Sequence, residues 1–131
     1  DAFKECKKPI QNNDILILGV SYKPDVKDIQ LTPAKHIIKK LQDLGANIHI
    51  YDPYFSSSQV FGINVEENLD AVISKVDASI IITAHKEFRN ISLPVFNKMK
   101  SPILVDTRGI IDPMDAKQAK LIFRRLGRGK L

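Results

Sequence analysis

Two basic side chains follow the ends of apolar runs, where they could bind an anionic ligand. Lys23 lies in a long loop after Ile15–Val20, and Arg108 comes shortly after Ile103–Val105. A lysine ammonium offers a point charge to a phosphate oxygen, and an arginine can pair bidentately with phosphate or carboxylate. The alternatives are a solvated loop lysine at Lys23 and a structural pair between Arg108 and Asp106. The chemistry that these residue types favour is anion binding.

The loop from Gly19 to Gln30 stands where a phosphate-binding turn would, after a strand pattern and before a helix pattern. It has a single glycine, whereas a dinucleotide fingerprint has three that let the backbone approach a pyrophosphate. It is also longer than that tight turn. Close backbone approach is therefore possible at one point only, although Pro24 stiffens the backbone directly after Lys23.

No set of residues forms a complete catalytic site. His85 could be a general base, but no serine or cysteine stands beside it in the sequence. Asp52 ends an apolar run, where a dinucleotide site places its ribose-binding acid, but it lies further from Gly19 than the roughly 20 residues usual there. A turn-forming Asp-Pro is the preferred interpretation. Cys6 lies in a polar N-terminal segment and is a poor candidate nucleophile. The residues alone support an anion- or nucleotide-binding domain, with no catalytic residue and no metal ligand assigned.

Short apolar runs alternate with helical patterns, and this alternation predicts the fold. Continuous apolar runs are typical of strands in parallel sheets that helices cover on both faces. We expect a single-domain α/β fold, a Rossmann-like three-layer sandwich with a mainly parallel sheet. The predicted strands are Ile15–Val20, Asn47–Tyr51, Ala78–Thr83, Ile103–Val105 and Leu121–Phe123; helices are predicted from Thr32-Pro33 to Gly45, over Glu66–Lys75 and Leu93–Met99, and as a turn at Asp115–Ala119, with Phe55 to Asn64 as a looser segment.

Ligands of such sheets bind beyond the carboxyl ends of the strands. Four stretches should therefore converge there: Gly19–Gln30, Asp52–Tyr54, Thr83–Arg89 and Asp106–Gly109.

Size and composition narrow the class of protein. A chain of 131 residues can bury one core unaided, and its single cysteine excludes an internal disulfide. No His/Cys cluster has metal-ligand spacing, and no apolar run approaches the roughly 18–20 residues of a membrane span. The net charge of +5 suits a phosphate-bearing ligand, and the basic stretch from Arg124 to Lys130 lacks the interleaved aromatics of a nucleic-acid arm. We expect a cytoplasmic protein without nucleic-acid or membrane partners.

Several motifs in order resemble the C-terminal, UDP-binding domain of the UDP-glucose/GDP-mannose dehydrogenase family. The family pattern is roughly G-[LV]-[AS]-[FY]-K-x-x-[TV]-x-D-x-R-x-S-P-[AS], and from Gly19 to Ala34 this chain reads GVSYKPDVKDIQLTPA. A strand ending in Tyr51-Asp52-Pro53 and the late stretch Val105–Arg108 extend the likeness over nearly the whole chain. The Val-Ser-Tyr-Lys and Asp-Thr-Arg-Gly stretches favour the branch that oxidises UDP-N-acetylhexosamines.

The resemblance implies that this chain is one part of a larger enzyme. Family members have an N-terminal NAD-binding domain, a central helical region with the nucleophilic cysteine, and a C-terminal domain that binds the nucleotide-sugar. They oxidise a sugar C6 alcohol to the uronic acid in two NAD-dependent steps. By likeness, residues 1–12 are the end of a helical linker, and residues 13–131 form the nucleotide-sugar-binding domain. The implied partners are a UDP-sugar and the other two domains of the same polypeptide, in a homo-oligomeric full-length enzyme. The isolated chain should be inactive.

Carried over residue by residue, the resemblance assigns Tyr22, Lys23 and Arg108 to substrate binding. Asp28 matches the acid of the family's loop. Gln30 stands at the cofactor-binding position where the family has an arginine that reaches the NAD bound by the other domain. A neutral amide removes that charge and disfavours a cofactor contact by Gln30. The resemblance implies that NAD is bound mainly by a domain outside this chain. The alternative from another class is a free-standing α/β module that binds a nucleotide or another phosphorylated ligand for regulation.

Overall fold

The computed structural model describes residues 11–21, 23–25, 27, 32–56 and 58–125. Within these ranges the strands are β1 Asp14–Leu18, β2 Asn47–Tyr51, β3 Gln59–Val60, β4 Ile63–Glu66, β5 Ala78–Ile81, β6 Ile103–Asp106 and β7 Ile122–Arg125. They form one seven-stranded sheet in the order β3-β4-β2-β1-β5-β6-β7. Neighbouring strands are parallel except for antiparallel β3 and β4. The Rossmann-like α/β prediction with a mainly parallel sheet is confirmed.

Helices pack on both faces of this sheet. They are α1 Ala34–Asp43, α2 Leu69–Ile73, α3 Lys86–Arg89 and α4 Pro113–Gln118, with 3-10 helices at Pro53–Phe55 and Leu93–Lys98. Successive side chains of a strand point to opposite faces. Ile15 and Ile17 of β1 accordingly pack in the core under α1, whereas Leu16 and Leu18 pack in the core that α2 and α4 cover. Burial on both faces explains why β1 is a continuous apolar run.

The segment from Phe55 to Asn64, predicted to be loose, forms a β-hairpin instead. Strands β3 and β4 pair through Gln59 with Asn64 and Val60 with Ile63. The connecting residues Phe61 and Gly62 both have positive φ, 51° and 80°, as in the two-residue turns that match the twist of paired strands. Phenylalanine at such a position gives no turn signal in the sequence, so this part of the prediction was wrong.

Other element boundaries shift for identifiable reasons. The helix predicted over Glu66–Lys75 begins only after Asn68, whose side-chain oxygen accepts a hydrogen bond from Ala71 N at 3.1 Å. Strands β1 and β5 end before Val20 and Ile82, which remain buried at 0% and 1% exposure although they leave the sheet. Apolar character therefore overestimates strand length here. The predicted helix at Leu93–Met99 is a 3-10 helix, and the stretch Thr83–Arg89 contains α3. The last strand is confirmed, shifted to Ile122–Arg125.

Within the described ranges, no helix combines the length and the apolar character that crossing a membrane requires.

Candidate functional site

Loops from four neighbouring strands meet at the carboxyl edge of the sheet, as the sequence predicts. Gly19 N donates to Tyr51 O at 3.0 Å, which joins the end of β1 to the end of β2. Thr83 Oγ1 donates to Ser21 O at 2.9 Å and so links the β1 loop to the end of β5. Thr107 Oγ1 after β6 donates to Ile81 O. This edge is the candidate binding site.

Asp52 is a buried structural acid at the centre of this edge. Its side chain has no exposed surface. Oδ2 accepts hydrogen bonds from Val20 N at 2.9 Å and lies 3.1 Å from His85 Nε2, while Oδ1 accepts from Tyr54 N at 2.9 Å. The preferred interpretation, an Asp that forms the turn before Pro53, agrees with this geometry, but Asp52 also ties together the loops after β1 and β5.

His85 is fully buried, with both ring nitrogens engaged. Asp25 N donates to Nδ1 at 2.8 Å, and Nε2 faces Asp52 Oδ2. Because a backbone N–H can only donate, Nδ1 must be the acceptor and Nε2 must carry the proton that is donated to Asp52. The ring packs against Tyr54 and Phe88, with centroids 4.5 and 5.4 Å away. Neither nitrogen is open to a substrate, so this geometry disfavours a general base.

The loop that carries Lys23 is fastened to the protein at Asp25. This residue has a φ of 62°, in the left-handed region that Asp and Asn tolerate better than most residues. Its N–H binds His85, and its Oδ1 accepts from Lys86 N at 2.6 Å. We did not predict this role from the sequence, although a Pro-Asp pair in a loop is a recognised turn signal.

A second group of contacts involves the neighbouring residues Lys27 and Tyr54. Lys27 Nζ lies 5.4 Å from the centroid of the Phe55 ring, a cation–π distance. Tyr54 Oη donates to both carboxylate oxygens of Glu87 at 3.2 Å. Burial, followed by this hydrogen bond and the charge of Glu87, raises the pKa of Tyr54 above its ordinary value. Lys27 and Tyr54 therefore make contacts within the protein.

Lys23 and Arg108 are the sequence-predicted site residues that the structure describes, and both are exposed at this edge. Among the described residues, neither side chain has a hydrogen-bond or ion-pair partner. The suggested pair between Arg108 and Asp106 is absent: Asp106 is buried and instead accepts from the backbone N–H groups of Arg108, Gly109 and Ile111 at 2.8–3.0 Å. These hydrogen bonds from backbone amides fix the turn from which Arg108 projects.

Gly19 approaches protein backbone and side chain closely. Its φ is +94°, and an added Cβ would lie 2.5 Å from Thr83 Cβ. The single glycine of the loop therefore serves the packing of β1 against β5.

The predicted site residues Tyr22 and Gln30, together with Asp28 and Cys6, lie outside the described residues. Within the described part of the chain, no cluster of three or more His, Cys, Asp or Glu side chains could hold a metal ion.

Comparison with known proteins identifies the family. The sequence model of the UDP-glucose/GDP-mannose dehydrogenase family, UDP binding domain, matches residues 16–113. UDP-glucose 6-dehydrogenase TuaD from Bacillus subtilis is 32% identical over an alignment of 124 positions that covers 91% of this chain and 27% of that protein. UDP-N-acetyl-D-mannosamine dehydrogenase from Methanococcus maripaludis is also 32% identical, over an alignment of 133 positions, gaps included, that covers 98% of this chain and 30% of that protein.

A solved structure agrees with the fold. NDP-N-acetyl-D-galactosaminuronic acid dehydrogenase from Methanosarcina mazei Go1 superposes with a TM-score of 0.86 at 20% identity, over 95% of this chain and 26% of that one. The chain spans 27% and 30% of the two curated relatives. One of these relatives is a UDP-glucose dehydrogenase and the other a UDP-N-acetyl-D-mannosamine dehydrogenase, and both are 32% identical to this chain. The preference for UDP-N-acetylhexosamines therefore stays a prediction. On the extent of the family match, the chain belongs to the UDP-glucose/GDP-mannose dehydrogenase family and corresponds to its UDP binding domain.

Proposed function

We propose that this chain is the nucleotide-sugar-binding part of an NAD-dependent UDP-sugar 6-dehydrogenase. Lys23 binds an anionic oxygen of the ligand, and Arg108 and Tyr22 complete the substrate side. The proposal places residues 1–12 in a preceding linker and residues 13–131 in the binding domain.

The observation that carries the proposal is that Lys23 is exposed on a loop that hydrogen bonds hold to the protein. Its ammonium is exposed and has no partner among the described residues, yet its loop is fastened two positions later through Asp25. A cation on a fixed backbone, at the edge where Rossmann-like sheets bind ligands, is suited to a phosphate-bearing molecule. Arg108, on a turn fixed by Asp106, offers a second exposed cation at the same edge.

The remaining parts of the proposal concern the larger enzyme. Oxidation of the sugar C6 alcohol takes place at a cysteine in another domain, and NAD is bound mainly by that enzyme's N-terminal domain. Gln30 makes no charged contact with the cofactor. The complete enzyme works as a cytoplasmic homo-oligomer, and its substrate is a UDP-N-acetylhexosamine in preference to UDP-glucose.

Calorimetric titration of the 131-residue chain with UDP tests ligand binding. We expect Lys23→Ala to weaken binding about tenfold or more, since a hydrogen bond to a charged group is lost. Lys100→Ala is the matched control, because Lys100 is an exposed lysine at the opposite, amino-terminal edge of the sheet. Equal affinity for the Lys23 variant and the unchanged chain would contradict the assignment.

A turnover assay tests where the chemistry lies. We expect the chain to form no NADH when it is given NAD and UDP-glucose or UDP-N-acetylmannosamine. Measurable turnover would show that the catalytic group is in this chain.

A further inference from the structure

We propose that His85 is a positioning residue for ligand binding: it holds the loop that presents Lys23 at a fixed distance from the sheet. It would set the affinity for the UDP moiety without touching it. The inference rests on the proposed function for the identity of the ligand. The hydrogen-bonded connection from Asp52 through His85 to Asp25, here termed the latch, rests on the contacts of these three residues alone.

The ring of His85 connects the sheet to the loop through two directional hydrogen bonds. Its Nε2–H donates to Asp52 Oδ2 at 3.1 Å, and its Nδ1 accepts from Asp25 N at 2.8 Å. The two bonds use opposite sides of one rigid ring. Any displacement of the Asp25 backbone must therefore break the bond to Nδ1 or move a fully buried side chain.

The sheet side of this connection is itself held by several contacts. Asp52 is held by the backbone N–H groups of Val20 and Tyr54, and aromatic rings flank the histidine on the other side. His85 also stands directly before α3, so the bond from Lys86 N to Asp25 Oδ1 adds a second attachment at the same point.

The loop side bears directly on Lys23. Asp25 is two residues from Lys23, and Pro24 between them has a restricted φ. Fixing Asp25 therefore fixes the backbone from which the ammonium extends. Ordering the backbone of one residue lowers the affinity by about one order of magnitude. A ligand that binds a pre-ordered lysine avoids this cost.

Two substitutions separate the bonds of the ring. In His85→Asn the amide oxygen takes the place of Nδ1 and can accept from Asp25 N–H, but the side chain is too short to reach Asp52. The loop then stays bonded to residue 85, whose backbone is held at the start of α3 because its carbonyl oxygen accepts from Phe88 N at 3.0 Å. In His85→Gln the amide nitrogen takes the place of Nε2 and can donate to Asp52, but Asp25 N–H loses its acceptor. His36→Gln, at an exposed position of α1, controls for the residue change.

Calorimetric titration of the chain with UDP provides the first readout. We expect His85→Gln to weaken UDP binding about tenfold, whereas His85→Asn and His36→Gln bind UDP much as the unchanged chain does. Equal losses in both His85 variants would show that the ring matters only for folding and would overturn the proposal. Undiminished binding by His85→Gln would overturn it as well.

Amide hydrogen exchange by NMR provides a readout that needs no ligand. The Asp25 amide should exchange slowly in the unchanged chain and in His85→Asn, and rapidly in His85→Gln. Should both variants fail to fold, the unchanged chain decides: an Asp25 amide that exchanges as fast as an exposed loop amide refutes the latch. If the unchanged chain does not bind UDP, the proposed function and the ligand named here fail, and exchange at Asp25 still decides whether His85 holds the loop.

Discussion

Replacement of Asp52 by alanine should be among the most destabilising single changes at the carboxyl edge. The side chain is fully buried and accepts hydrogen bonds from Val20 N, Tyr54 N and His85 Nε2. A buried donor left without an acceptor costs about 1–3 kcal/mol. Val20 N and His85 Nε2 are such donors, whereas Tyr54 N is partly accessible and resembles an ordinary helix cap of about 1 kcal/mol. These contributions sum to about 3–7 kcal/mol. Because losses above about 5 kcal/mol are exceptional for a single substitution, we expect Asp52→Ala to lower the free energy of unfolding by about 3–5 kcal/mol.

The chain contains a matched control for this change. Asp112, like Asp52, precedes a proline and caps a helix, with its Oδ1 accepting from Met114 N at 2.8 Å. It is exposed and makes no buried bond of the kind that joins Asp52 to Val20 and His85. Asp112→Ala should therefore cost about 1 kcal/mol, the value of the cap alone. The difference between the two variants measures the buried bonds.

Asp52→Asn sharpens the interpretation. If the amide oxygen takes the Oδ2 position, it still accepts from Val20 N and His85 Nε2, and only the partly accessible Tyr54 N faces an NH₂ group. This variant should lose about 1–2 kcal/mol. The negative charge of Asp52 would then contribute less than its geometry as an acceptor.

Urea denaturation followed by circular dichroism measures all three variants. For a domain with a total stability of about 5–15 kcal/mol, Asp52→Ala should lower the urea midpoint by about 2 M at an unchanged slope. A loss in Asp52→Ala no larger than that in Asp112→Ala would refute the reasoning, because the buried bonds to Val20 and His85 would then contribute nothing.

Two further expectations concern the same edge. Gly19→Ala should lower the free energy of unfolding by about 2–4 kcal/mol, because the added Cβ would lie 2.5 Å from Thr83 Cβ and the φ of +94° disfavours a side chain. Gly62→Ala is the control, since Gly62 has a φ of +80° but no atom within 4 Å of the added Cβ. Urea denaturation should therefore show a smaller loss for Gly62→Ala than for Gly19→Ala. The pKa of Tyr54 is raised above 10.0 by burial and by Glu87, so the unfolded chain loses this proton first, and the stability from Tyr54 is present below about pH 10 and is lost as pH rises through the folded-state pKa. Absorbance titration of tyrosinate should show a lower pKa for Tyr54 in Glu87→Gln than in the unchanged chain; an identical value would contradict the assigned cause.

The sequence pattern predicts a strand well where turn-forming residues mark both of its ends. Strand β2 begins and ends as predicted, between the glycine-containing turn at Gly45 and the Asp52-Pro53 pair. The β3–β4 hairpin escaped prediction because its turn uses Phe61 at positive φ, a conformation that the fold imposes and that phenylalanine does not favour. The sequence thus reveals elements whose ends have their own turn chemistry, and misses those whose ends are set by tertiary contacts.

The candidate site shows the same limit more strongly. Sequence reasoning proposed Lys23 and Arg108, because a basic residue after an apolar run is visible in the sequence, and the structure places both exposed at the carboxyl edge. It understated Asp52 and His85 and missed Asp25, whose decisive bonds join residues 32, 33 and 60 positions apart. Propensity describes a contact such as Asp52 with Tyr54 two residues on, but it cannot show that the same carboxylate also meets the loop after β1 and the start of α3.

These long-range bonds support the proposal that the site binds an anion through side-chain cations. In a dinucleotide turn, backbone N–H groups face the phosphate. Here six backbone amides of the described residues at this edge donate within the protein: those of Gly19 and Val20 to β2 and Asp52, those of Asp25 and Lys86 within the contact between the loop and His85, and those of Arg108 and Gly109 to Asp106. With these six donors occupied, the exposed Lys23 and Arg108 are the cations that the proposed function assigns to the anion. Under that proposal, a loop with one glycine binds a phosphate-bearing ligand through its lysine side chain, while the amides of Gly19, Val20 and Asp25 hold the loop against the protein.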